Sequence, residues 1–352
     1  MSRRTPTQAP LRRSRHRYGT VLALVVLAAG IALAVIPWPE PFIEARFARG
    51  LFPVTSHVLA PVVGTVPWSL TLTLVLALVA AVLISLVTRA GRRFLRRALL
   101  PWAAALLVFG FMLVWGLAYR RATLAQLLDL PPGTVTEGEL STARARLLAV
   151  LRSSADSPAP SAADVAAAGR CVEREVERLT GSRVAVPSRV KLLPPGTLLR
   201  FGFAGVTSPW LLEPHVDAGL PPVTRLATAT HELTHAAGFA READTDALAV
   251  LAGLRCNDPT VRYALAVHGI DLLLVALPQK SAQRLLAGLP GRTLQDLRAA
   301  SEAAARYRVP WLQRAATATY GTYLKSRGVT AGMADYGRAT TLVVRALARG
   351  LL

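Results

Sequence analysis

Three long runs of this chain contain no charged residue: 18–38 (YGTVLALVVLAAGIALAVIPW), 66–88 (VPWSLTLTLVLALVAAVLISLVT) and 99–119 (LLPWAAALLVFGFMLVWGLAY). Each is about the length a helix needs to cross roughly 30 Å of hydrocarbon. Trp38, Trp68, Trp102 and Tyr119 lie near their ends, where amphipathic rings favour the headgroup layer. A cleaved signal peptide is a poor reading of the first run, because Pro37-Trp38-Pro39-Glu40 follows its apolar core instead of a small-residue cleavage site. A hydrophobic share of 52% and a mean hydropathy of +0.38 agree with a membrane protein. The expected layout is a membrane unit over 1–121 with spans at about 18–38, 66–88 and 99–119, then a domain over 122–352.

Orientation follows from the arginines. Arg3, Arg4, Arg12, Arg13, Arg15 and Arg17 precede the first span, and Arg89, Arg92, Arg93, Arg96 and Arg97 separate the second from the third. Between the first two spans, Arg46 and Arg49 are offset by Glu40 and Glu44. The positive-inside rule then places the N-terminus in the cytoplasm and the chain beyond Tyr119 outside, with Arg120 and Arg121 a mild counter-signal. Those eleven topogenic arginines account for more than half of the net charge of +20. The remaining surplus suits a surface near anionic lipid or cell-wall polymer. No aromatic-basic pattern points to nucleic acid. Both cysteines, Cys171 and Cys256, fall in the outer domain; they can pair in an oxidising compartment or remain two buried thiols.

The outer domain reads as mostly helical. Thr136–Glu139 and Ser161–Asp164 have the form of capping boxes, which open helices to about Arg152 and to Gly181. The Val-rich alternation of 183–193 predicts a short strand or hairpin. The stretch 197–222 is rich in Gly, Pro and aromatics, and helices resume at about Val223. The apolar run 263–278 is short and carries His268 and Asp271, so it is expected to be a core helix with His268 a core residue.

Chemistry concentrates at His-Glu-Leu-Thr-His, residues 231–235. On a helix, residues four apart share a face, so His231 and His235 can bind one ion. Glu232 projects roughly 100° away, the place for a general base acting on a zinc-bound water. Zn²⁺ brings such a water near pKa 7. Gly238 allows the chain to turn back. A metzincin would have a third histidine where this chain has Arg241. The next residues are Glu242 and, one turn on, Asp246, which resemble the glutamate-zincin arrangement; that resemblance implies Glu242 as the third ligand and Asp246 as the group that steadies a ligand histidine. Asp244 competes for the third position. Segment 210–216 is expected to be an edge strand beside the cleft, with Glu213 and His215 on one face. His215 is either an oxyanion donor or a satisfied structural histidine. Tyr320, Tyr323 and Tyr336 are further candidate donors, and His16 and His57 belong to the membrane unit.

The motif region, HELTHAAGFAREADTD, resembles the DUF3810 family of bacterial multi-span membrane proteins, whose segment reads approximately H-E-L-A-H-x-x-G-F-A-x-E-x-E-A-N. Asp246 stands where that family usually has Asn. Gly205, Pro209 and Glu213 match its Gly-x-x-x-Pro-x-x-x-Glu segment, and 323–343 resembles its Tyr-Leu-Lys…Gly…Tyr-x-Arg element. The resemblance implies a zinc-peptidase-like domain and names no substrate.

The expectation is a protein of the bacterial cytoplasmic (inner) membrane. Its fold class is three N-terminal transmembrane helices, then a mainly α (α+β) zincin-like domain with a small β element before the motif helix. It is expected to be a zinc metallopeptidase acting outside the membrane on peptides or proteins of the envelope or cell wall. The alternative is a non-catalytic, zinc-stabilised sensor or scaffold. An intramembrane protease is a poor reading, since the motif helix carries too many polar groups to face lipid.

Overall fold

The computed structural model describes residues 11–326 and 335–351, with side chains described over 18–319 and 337–351. The chain is mainly helical. The first apolar helix, α1 (Leu11–Val35), is capped from a distance: Arg120 donates to the carbonyls of Leu33 (3.4 Å), Ala34 and Ile36 (2.6 Å). Helix C-termini carry unpaired carbonyls and partial negative charge, so a guanidinium there serves the helix end. This is the physical reason a basic residue stands at a place the charge rule disfavours.

A π-helical stretch, Ile43–Leu51, runs into α2 (Phe52–Thr65). Its apolar face does not lie idle between two apolar helices. Ile43, Phe47 and Phe52 are almost fully buried, in one continuous core with Trp115, Leu147, Val172, Leu233, Phe239, Leu248, Leu265 and Val344. Residue 121 marks a change of composition, and the core runs across it. Next come α3 (Leu70–Val87), whose N-cap Ser69 accepts from Leu72 N–H, and α4 (Leu100–Val114), entered through the basic stretch Arg89–Leu99.

Two helices follow, α5 (Glu137–Ser153) and α6 (Ala162–Thr180). Their starts at Thr136–Glu139 and Ser161–Asp164 are the capping boxes the sequence suggests. The sheet has order β1-β3-β2: β1 (Lys191–Leu193) runs parallel to β3 (Glu213–Asp217), and β2 (Gly205–Ser208) antiparallel. The segment expected at the sheet edge is therefore its centre, and only the last three residues of 183–193 form a strand. The reason is burial: Glu213, His215 and Asp217 look like edge residues by type, yet every residue of β3 is buried and each of those polar groups has partners.

The motif helix α7 (Pro222–Ala236) packs on the sheet, followed by α8 (Glu242–Leu254) and α9 (Pro259–Ala276). Helices α10 (Gln279–Ala287), α11 (Gly291–Tyr307), α12 (Pro310–Ser326) and α13 (Asp335–Ala348) complete the domain. A disulfide joins Cys171 on α6 to Cys256 after α8, with Cα atoms 5.5 Å apart. Among the described residues, four helical windows are long and apolar enough to cross a membrane: Tyr18–Val35, Leu70–Val87, Arg89–Val114 and Pro259–Ala276. The last is set apart by burial, 61% against at most 17% in the others.

The join between α4 and the motif is ionic. Arg121 is buried and donates to Gly238 O (3.0 Å) and Glu44 Oε1 (3.3 Å), with its guanidinium 4.1 Å above the ring of Phe239. Removing one partner of such a pair leaves a buried charge uncompensated. Glu44→Gln should lower the melting temperature in detergent, corresponding to about 3–5 kcal/mol, and Glu44→Leu combined with Arg121→Met should recover most of the loss. An unchanged melting point in the single variant would contradict this account.

Candidate metal centre

His231 and His235 lie one turn apart on α7, and each is oriented by its Nδ1. That of His231 is 2.8 Å from Asp246 Oδ1, and that of His235 is 2.7 Å from Phe239 O. Both partners accept, so each Nδ1 donates its hydrogen, and each Nε2, once deprotonated, turns its lone pair inward. The two Nε2 atoms are 3.1 Å apart, and Glu242 Oε2 stands 3.3 Å from one and 3.4 Å from the other. Four ligands at the usual zinc bond lengths, arranged tetrahedrally, would be about 3.4 Å apart. The spacing of the three donors fits an ion of that kind, and the group could hold a metal ion.

Glu242 reaches this place because α7 stops at a turn. Gly238 has φ +93°, a conformation glycine adopts without strain, and α8 then starts at Glu242. Arg241 sets the start of that helix. It donates to Tyr119 O (3.1 Å), Arg121 O (3.0 Å) and Ala122 O (2.8 Å), and its Nε pairs with Asp244 Oδ2 (2.7 Å). The competitor Asp244 is thus held by Arg241, and it is Glu242 that joins the histidines.

Asp246 also accepts from His268 Nε2 (3.1 Å). His268 is therefore not a bystander of the core, as its apolar helix suggests, but part of the hydrogen-bonded shell behind His231. A histidine on an otherwise apolar helix was the available signal. Two neighbours of Glu232 carried less: Thr207 Oγ1 lies 2.7 Å from Glu232 Oε2, and Gly205 lies so close that a Cβ there would be 2.6 Å from Glu232 Oε1. Trp115 stands beside His235, ring centres 5.5 Å apart. The side chain of Glu242 is 31% exposed, against 7% for His235, so the group opens on the Glu242 side.

Glu213 and His215 lie elsewhere. Strand alternation puts His215 on the sheet face opposite Thr207 and Glu232. There its Nε2 is 2.8 Å from Ser69 Oγ, while Glu213 accepts from Leu70 N (2.9 Å) and Thr71 N (2.7 Å) at the start of α3. Lys191 completes the clip through the carbonyls of Val63 (2.6 Å) and Val66. Burial opposes the Glu213 carboxylate, but the N–H groups of Thr71 and Leu70 outweigh it and hold its pKa low. Burial pushes the pKa of His215 down. These residues fasten the second apolar helix and leave His215 no route to an oxyanion. His57 bonds its own helix at Pro53 O (2.8 Å). His16, Tyr320, Tyr323 and Tyr336 lie outside the residues whose side chains are described.

The electrostatics differ sharply between neighbours. Burial disfavours a charged His231, but Asp246, with Glu242, outweighs it and raises its pKa well above the ordinary value. His235 is raised in the same way, chiefly by Glu242 against burial. The two rings in turn overcome burial and hold Glu242 well below the carboxylate range. Glu232 goes the other way: burial raises it.

The chain matches the family described as "Protein of unknown function (DUF3810)" over residues 47–344, and it belongs to that family. No curated protein and no solved structure matches it.

Metal binding here has to displace protons from histidines whose pKa values are raised. Affinity should therefore climb with pH until both rings are neutral and level off above that. Titration calorimetry in buffers of different ionisation enthalpy should register roughly one or two protons released per ion near neutral pH. Glu242→Gln should weaken binding strongly and Asp244→Asn far less; a reversed order would reassign the third ligand.

Proposed function

We propose, with DUF3810 membership as the premise, that this protein is a membrane-anchored zinc metallopeptidase with its site outside the cytoplasmic membrane. One observation carries the reading: two oriented imidazoles and a carboxylate converge at ligand spacing, with a separate buried carboxylate, Glu232, beside them. Two nitrogens and one oxygen suit zinc, and three protein ligands leave the fourth position open, as catalytic sites do. Bound there, zinc would supply Lewis acidity for hydrolysis at neutral pH.

The chain's own residues supply the rest. Glu232 takes the proton of the attacking water, and burial raises its pKa toward the range where a general base works best. Thr207 fixes its carboxylate, which fills the space over Gly205 that a larger residue would take. The register of β2 suggests how a peptide would align. Ala204 O accepts from Asp217 N, so the hydrogen-bonded pairs with β3 are 204–217, 206–215 and 208–213. Antiparallel ladders alternate, which turns the N–H and C=O groups of Gly205 and Thr207 toward the outer edge. A substrate adding there as a strand would pass beside Glu232.

Topology is part of the proposal. The arginine distribution favours a cytoplasmic N-terminus. Residues 43–65 share the core of the domain beyond residue 121, which suits a loop and a domain on the same side of three spans. The window Pro259–Ala276 is mostly buried and carries His268 into the metal group's shell, so it is assigned to the domain. The Cys171–Cys256 disulfide agrees with an oxidising compartment.

The test uses the full chain in detergent. Glu232→Gln should keep stoichiometric zinc while cleavage of a mixed peptide library falls by about 10²–10⁴-fold. Gly205→Ala should fold and bind zinc but displace Glu232, lowering the rate about 10²-fold. A zinc-loaded wild type that cuts nothing would favour the scaffold reading.

A further inference from the structure

The position of the site relative to the spans narrows the substrate class, and the argument rests on the peptidase and topology proposed above. Helices α1 and α4 run side by side in the same direction. Thr20 Oγ1 bonds Arg97 O (2.6 Å) near one end, and Gly30 lies against Phe109, where a Cβ would be 2.8 Å from its Cα. At a rise of 1.5 Å per residue, Trp115 is level with the outer end of α1 at Val35, and Leu107 lies about 12 Å below it. The ring of Trp115 abuts that of His235, so the metal group sits at the outer face of the bilayer.

The β2–β3 hairpin goes deeper. At its tip, Trp210 donates from Nε1 to Leu107 O (2.9 Å) and packs against Phe111, ring centres 5.9 Å apart. That carbonyl belongs to the outer half of a hydrocarbon core about 30 Å thick. At that depth Trp210 is 40% exposed, and Val206, nearer the site, is 47% exposed. The same β2 begins beside Glu232 at Gly205. Its outer edge therefore leads from the catalytic carboxylate down to the hydrocarbon in no more than about 17 Å, five residues of extended chain.

We propose that the substrate is a polypeptide tethered in the same bilayer, cut on the outer side within about five residues of its apolar anchor. A chain lying on β2 reaches lipid at one end without bending. The scissile bond is thus set by distance from the anchor as much as by sequence.

The experiment compares one cleavable sequence in two forms, as a free peptide and joined to a Leu/Ala transmembrane helix. Both are presented to zinc-loaded full-length protein in phosphatidylethanolamine–phosphatidylglycerol vesicles. The anchored form should be cut at least about tenfold faster, through the higher effective concentration of a tethered partner. Its cut should follow the anchor when the sequence is shifted. In a second measurement, p-benzoylphenylalanine placed at Val206 in the Glu232→Gln protein should photo-crosslink the anchored peptide and not the free one. Equal rates, or a cut indifferent to the anchor, overturn the tethered-substrate proposal and leave the peptidase standing. No cleavage of either form overturns the peptidase; selective crosslinking would then still support a tethered ligand, and unselective crosslinking would overturn both.

Discussion

Arg241 binds three carbonyls at the end of the third apolar helix and one carboxylate on α8, and the rest of the molecule is arranged around that contact. A guanidinium presents several donors in a rigid plane, so it fixes the direction of α8 as well as its distance. Arg121 works from the opposite side, binding Gly238 O and Glu44. Together the two arginines clamp the turn between His235 and Glu242. The spacing of the three candidate donors and the placement of the group beside the apolar helices are set by one network. A domain on a flexible stalk would leave these two quantities independent.

Carboxylates within this fold have been given different tasks by their surroundings. Glu213 faces the free N–H groups that open α3, where negative charge is favoured. Asp246 lies between two histidines and stays ionised. Glu242 faces two imidazoles. Of these four, Glu232 alone has its pKa raised by burial, with the Thr207 hydroxyl as its near support. The roles proposed for them, ligand, orienting group and base, are thus separated by environment, while three of these residues fall within fifteen positions of one another.

Much of this was legible because it is local. The i,i+4 histidines, the glycine turn, Glu242 one helix start later, and the two capping boxes depend on neighbours within a turn or two. The apolar runs declare themselves by length. What could not be read depends on distant partners. Helix position favours Glu242 over Asp244 on paper; that Asp244 is tied up by Arg241, itself held by the carbonyls of residues 119–122, is not visible there. His215 looked available until β3 proved central and Ser69 proved its neighbour, 146 residues away. His268 sits on a helix whose apolar character is real, and only the packing of α9 on α8 brings it to Asp246.

The same consideration applies to the boundary near residue 121. Composition changes there from long apolar helices to a mixed sequence, and composition is what a sequence shows. Packing has no reason to respect that line. Phe52, upstream of it, sits so close to Gly238 that a Cβ on the glycine would be 2.7 Å from its ring, and the polar face of the sheet is used up in fastening α3. Apolar burial and ion pairing thus cross between the two regions at the places that shape the candidate metal centre. The apolar helices act as part of the scaffold that positions the site.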